Sequence, residues 1–140
     1  MTNSKDLRRL SVETRANLRC EYCRRPQPMT GITFHIEHII PLSHGGTSNL
    51  NNLALSCPSC NYKKQDHTNA IDPKTKELSE LFNPRIHNWK DHFSWSNGKL
   101  TLIGKTKIGR ATIKLLDLNS SSQRKFRTLW KKYFSDLFPH

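Results

Sequence analysis

The sequence predicts an α+β fold, and three observations carry the prediction. Four cysteines stand as two Cys-x-x-Cys pairs, Cys20-Glu-Tyr-Cys23 and Cys57-Pro-Ser-Cys60, separated by 33 residues. A β-branched and aromatic run over residues 32–40 stops at Pro41, and a short apolar run over 51–56 follows it, which reads as a strand and its return. Apolar residues at helical spacing recur near both ends of the chain.

The cysteines come first because they fix the topology. In a reducing compartment two such pairs supply four thiolates that close a tetrahedral structural Zn²⁺ site. Two redox-active dithiols or a disulfide framework are the alternatives. A redox motif belongs in a strand–helix unit, whereas Cys23 runs straight into Arg24-Arg25-Pro26. Only 34% of the 140 residues are apolar, so the core is thin and a metal would supply much of its folding free energy. A chain of this length closes one modest core, with room for a small appended subdomain. No apolar stretch approaches the roughly 20 residues of a membrane span, and the polar start MTNSKDLRRL lacks the apolar middle of a signal peptide. A cytoplasmic protein without membrane contact is therefore expected.

The elements follow in order. Residues 4–19 read as a basic helix with Leu7, Leu10, Val12, Ala16 and Leu18 as its apolar positions. After the strand at 32–40, Gly45-Gly46 marks a tight turn, and a helix begins at the second cysteine pair with Asn61-Tyr62-Lys63-Lys64. Asp72-Pro73 reads as a helix start, with Leu78, Leu81 and Phe82 on one face of a helix over 74–82. Residues 93–96 and 99–102 flank Asn97-Gly98, a strong hairpin signal. Helices are predicted over 109–118 and 123–138, the second with Phe126, Leu129, Trp130, Tyr133, Phe134 and Leu137 facing inward.

The formal charge of +12 points to a polyanionic partner, most simply nucleic acid. It is unevenly spread: +4 over residues 1–30, −1 over 31–73, +5 over 74–110 and +4 over 111–140. A nearly neutral centre between basic flanks suits a reaction zone held by phosphate-gripping arms.

Within that centre, Glu37-His38-Ile-Ile-Pro, Gly45-Gly46, Asn52-Leu53 and Cys60-Asn61-Tyr-Lys63-Lys64 stand in order between and around the knuckles. Any one of these would carry little weight; an isolated histidine here is as readily a core residue. Together, over about residues 20–64, they resemble the HNH nucleases of the His-Me finger superfamily. Residues 82–112, with Phe82-Asn-Pro-Arg85, Trp89 and Ile108-Gly-Arg110, resemble the tail of some standalone bacterial members. The resemblance implies a zinc-stapled ββα-metal core over 20–72, a basic N-terminal segment over 1–19 and a basic C-terminal hairpin and helical extension over 73–140.

It also implies roles. His38 would be the general base that deprotonates the attacking water, a task suited to the side chain that is a neutral base near neutral pH. Asn52 would tie the strands together and help orient His38. Glu37 and Asn61 would be the protein ligands of a catalytic Mg²⁺ or Mn²⁺, hard ions that suit oxygen donors. In a regular strand Glu37 and His38 point to opposite faces, so a loop distortion is needed for both to serve one site. Glu37 stands where Asp is commoner, and Asn61 where His is commoner; an amide in place of imidazole should lower tolerance for softer ions such as Ni²⁺. Lys63, Lys64 and Arg110 are the expected DNA contacts, and His35 is a neighbour able to line the site. The function expected is a metal-dependent DNA endonuclease, monomeric or dimeric. A non-catalytic zinc module that binds nucleic acid is the alternative.

Overall fold

In the computed structural model, which describes residues 3–137, the Asn3 carboxamide accepts the Asp6 amide at 2.8 Å and starts helix α1, Ser4–Arg15. Its buried face is narrower than the sequence predicts. Val12 and Ala16 enter the core, while Leu7, Leu10 and Leu18 are exposed. Two arginines fasten it instead: Arg9 donates to the Phe34 carbonyl at 3.0 Å, and Arg15 to the carbonyls of Leu50 at 2.9 Å and Leu53 at 2.7 Å.

The chain divides into two units: the stretch up to Thr68 together with Asn83–His87, and Asn69–Phe82 together with the chain from Asn88 onward. In the first, the short helix α2, Gln27–Thr30, ends at Gly31 in the left-handed region. Strand β1, His35–His38, pairs antiparallel with β2, Leu53–Ser56, with His38 opposite Leu53. The expected strand over 32–40 contracts to four residues because its flanking amides bond elsewhere. The Phe34 amide donates to the Gln27 carboxamide, and those of Ile39 and Ile40 to the Asn52 carbonyl and side chain. Helix α3, Pro58–Lys64, follows β2 and starts at the proline, with the Cys57 sulfur accepting the Cys60 amide. Strand β2 is buried throughout, and Leu53, Ala54 and Leu55 join Val12, Tyr22 and Phe34 in the core.

The second unit overturns one sequence expectation. Residues 74–82 form no helix: β3, Asn69–Ile71, and β4, Leu78–Glu80, make an antiparallel hairpin. The cause is Asp72, whose carboxylate accepts the Lys74 amide at 3.1 Å and the Thr75 hydroxyl at 2.8 Å, folding the chain back on itself. Arg110 clamps the same carboxylate through two bonds of 2.9 Å. Helix α4, Trp89–His92, leads into β5, Phe93–Trp95, which pairs with β6, Leu102–Gly104. The hairpin at Asn97-Gly98 is present, with a longer connection: the Lys99 amide closes a turn on the Ser96 carbonyl, and the Ser96 amide bonds Thr101.

Helix α5, Lys107–Leu116, is capped by the Thr106 hydroxyl. A Cβ at Gly109 would lie 2.1 Å from the His92 carbonyl oxygen, so only glycine lets α5 approach so closely. Helix α6, Ser121–Tyr133, is capped by Ser120 and buries Gln123, Arg127 and Trp130. The aromatic stripe expected inward is mostly exposed at Leu129, Tyr133 and Phe134. The face is rotated because the Arg127 guanidinium is fully used inside: it donates to the carbonyls of Leu100 and Leu118 and to Asn119, and lies 5.2 Å from the Trp95 ring centroid. Phe138, the predicted end of this helix, lies outside the described residues. The described fold is α+β with small antiparallel sheets, and no described helix is long and apolar enough to cross a membrane.

The Asp72 clamp has a pH signature. The guanidinium of Arg110 holds the Asp72 carboxyl well below the usual carboxylate range. The folded state thus binds this proton less readily than the unfolded chain, so the stabilisation is present above about pH 4 and lost as pH falls. Asp72→Asn should lower the melting temperature at pH 7, and the deficit should shrink in thermal melts at pH 3.

Candidate active site and metal centre

The first knuckle is shaped by its backbone. The Cys20 amide donates to the Arg25 carbonyl and the Arg24 amide to that of Cys20, with Arg24 in the left-handed region at φ 71°. Glu21 then runs alongside β2: its amide donates to the Leu55 carbonyl, its carboxylate accepts the Leu55 amide, and Arg85 pairs with its second oxygen. Through these bonds Cys20 and Cys23 face Cys57 and Cys60.

All four sulfurs are buried and lie within 4.8 Å of one another. Cys23 and Cys57 are 3.7 Å apart, too far for a disulfide, and all four thiols are free. Tetrahedral Zn–S bonds of about 2.3 Å give sulfur–sulfur edges of about 3.8 Å, so the cluster has the dimensions of a zinc site. Burial, with hydrogen bonds to Cys23 and Cys57, holds the Cys20 thiol well above its ordinary range. Four thiolates can share this space only around a cation, and the donor set fits Zn²⁺.

His38 ends β1 half-buried, and its Nε2 lies 2.9 Å from the Ser48 hydroxyl. The ring opens on a cleft of about 350 Å³ whose lining also includes Lys5, Arg8, Arg9, His35 and Ser48. Ser48 sits on the 40–52 loop, which Asn52 holds. The Asn52 side chain accepts the Ile40 amide at 2.9 Å and donates to the carbonyls of Ile40 at 2.9 Å and Thr47 at 2.8 Å. Gly45 takes φ 86° to end the short 3-10 turn Leu42–His44. At Gly46 a Cβ would fall 1.8 Å from the Ile40 carbonyl oxygen. Asn52 therefore bridges the loop that carries Ser48, and its side-chain hydrogen bonds go to Ile40 and Thr47 and not to His38.

Glu37 lies elsewhere. It points inward from β1, 6% exposed, where the Tyr22 hydroxyl donates to its carboxylate and the Lys64 ammonium stands 3.6 Å away. Burial pushes its carboxyl up to about 7, against the opposing pull of Lys64 and Tyr22. The strand is regular at this point, so no distortion carries Glu37 round to His38.

Asn61 is half-buried on α3, three residues before Lys64 and thus on the same side of that helix. Glu37 and Asn61 have the oxygen chemistry of a hard-cation site. As folded, one oxygen of the Glu37 carboxylate already carries a hydroxyl and an ammonium. Lys64 corrects a second expectation. It is 2% exposed and donates to the Ile39 carbonyl at 2.9 Å, so its charge serves the core and not DNA. Arg110 corrects a third, because both of its bonds go to Asp72. Lys63 remains on the exposed side of α3.

Residues 20–67 match the family model for HNH endonuclease. No curated protein and no solved structure matches the chain. Within the matched segment the structure brings the four cysteines together and places His38 beside a cleft, with Glu37 turned to the other face of β1. Sequence reasoning missed Tyr22, Ser48 and Glu21. Tyr22 and Glu21 had a visible signal, since both lie inside the first knuckle; Ser48 had none.

Two outcomes are expected. Cys57→Ser, or removal of zinc by a chelator, should unfold the first unit, because metal binding of this type supplies on the order of 10 kcal/mol of folding free energy; circular dichroism and zinc content check it. Asn52→Ala strands one amide and two carbonyls of the loop and should cost roughly 1–3 kcal/mol in a denaturant titration.

Proposed function

We propose that the chain is a DNA endonuclease that hydrolyses phosphodiester bonds with His38 as general base. The observation that supports it is the position of His38: an HNH-family histidine, half-buried, with its ring nitrogen beside a cation-lined cleft and fixed by Ser48. The neutral imidazole takes a proton from water while the water oxygen attacks phosphorus. The phosphorus–oxygen bond opposite then breaks, and solvent protonates the leaving oxygen. Ser48 and the Asn52 bridge hold the ring and the loop around it, so the base waits in one orientation.

The zinc site is structural in this reading, closing the loop that carries His38. Mg²⁺ or Mn²⁺ at Glu37 and Asn61 would neutralise charge on the phosphorane. It would share the carboxylate with the Tyr22 hydroxyl and the Lys64 ammonium, which stand on one of its oxygens, or displace them. That enclosure of Glu37 is the one observation favouring a second reading, a non-catalytic zinc module that binds nucleic acid.

Supercoiled plasmid separates the two. Zinc-loaded protein with Mg²⁺ or Mn²⁺ should nick or linearise it. His38→Ala should cut about 10²–10⁴-fold more slowly while still retarding DNA in a gel. Plasmid left intact by the wild type, or cut equally by the variant, overturns the enzyme assignment.

A further inference from the structure

The cleft at His38 is built partly by α1, which lies outside the stretch that matches the HNH family. The basic residues of that helix have divided roles. Arg9 and Arg15 are engaged with the carbonyls of Phe34, Leu50 and Leu53, and Arg9 also stands 3.9 Å from Glu13. These bonds fasten the helix to the strand pair. Lys5 and Arg8 are exposed, line the cleft, and among the described residues have no hydrogen-bond or ion-pair partner. Three residues apart, they share one side of α1.

No carboxylate lines the cleft, and the two imidazoles of His35 and His38 stand there with the cations. Three positive side chains around about 350 Å³ select an anionic ligand. The space admits a phosphodiester and its sugars, and its cationic lining matches the charge of the backbone rather than the neutral bases. Because α1 is fastened at two points, the helix backbone that carries the two free cations is set before any ligand arrives, and only their side chains have to be ordered on binding.

We propose that Lys5 and Arg8 clamp the backbone phosphates of a DNA strand in this cleft, setting the target phosphodiester at His38. The choice of DNA rests on the nuclease reading; the binding of backbone phosphate does not. Lys5 and Arg8 are thus substrate-binding residues supplied from outside the HNH segment.

The test uses the full, zinc-loaded chain and a short labelled DNA duplex, without Mg²⁺ or Mn²⁺, so that no cleavage is involved. Fluorescence anisotropy over a salt series should give a log–log slope about 1.8 smaller in magnitude for Lys5→Ala/Arg8→Ala than for wild type, at about 0.9 per lost phosphate contact. Affinity near 0.1 M salt should fall about tenfold or more. Lys5→Arg/Arg8→Lys should keep the wild-type slope, and thermal melts should show all variants folded, since neither side chain is buried or bonded. In the same titration, the ring resonances of His35 and His38 should shift in wild type and stay unmoved in the double alanine variant. An unchanged slope overturns the clamp, as does a shift of the His35 and His38 signals that survives the double substitution. A matched RNA duplex that alone produces the slope and the shifts overturns the DNA assignment. The two readings fail separately: a reduced slope with uncut plasmid removes the nuclease and leaves the clamp, while cut plasmid with an unchanged slope does the reverse.

Discussion

Bringing Cys20 and Cys23 to Cys57 and Cys60 closes a loop of 33 residues, and everything proposed for His38 depends on that closure. Loop entropy grows slowly with length, so the span itself is not prohibitive. The difficulty is electrostatic. Four buried sulfurs can become thiolates together only around a cation, and then the ion's binding free energy becomes folding free energy. Glu21 extends the same constraint: it ties the first knuckle to β2 from inside the Cys-x-x-Cys pair, and Arg85 balances its charge. The knuckle thereby sets the register of the strand that faces His38.

A second constraint comes from the period of a strand. Neighbouring side chains on β1 leave opposite faces, so one of Glu37 and His38 must turn away from the cleft. The fold sends Glu37 inward, where an isolated carboxylate would be costly, and supplies Tyr22 and Lys64 to receive it. Lys64 in turn needs a partner for its own burial and finds the Ile39 carbonyl as well as Glu37. The three side chains form one unit: removing any of them leaves a buried polar group stranded. A residue type that suits a cation ligand is thus equally suited to packing, and the surroundings decide which it does.

This is why the sequence was only partly legible. The cysteine cluster, the β1–β2 pair and the Asn97-Gly98 turn could be read because each is a local pattern with one cheap solution. The helix expected over 74–82 could not, since the same Asp-Pro pair starts a helix or folds a hairpin, and Arg110, 38 residues away, selects the hairpin. The inward face of α6 was misread for a similar reason. Arg127 looks like a solvent residue until the carbonyls of Leu100 and Leu118 are found waiting for it. At the candidate site the four-cysteine cluster was legible from spacing, while the partners of Glu37 were not, because burial of a charge is settled by tertiary neighbours.

The formal +12 must be read through the same lens. Arg9, Arg15, Lys64, Arg85, Arg110 and Arg127 each point a cationic head at a carbonyl or carboxylate of the chain itself. They act as internal fasteners, and their geometry is already committed when a ligand arrives. Counting basic residues along the sequence weights these equally with cations that reach solvent, and so places the expected grip on DNA too broadly. Where α1 meets the strand pair the two kinds stand side by side on one helix. The fasteners there fix the helix from which the free pair, Lys5 and Arg8, reaches out, so that only two side chains have to be ordered when a ligand arrives.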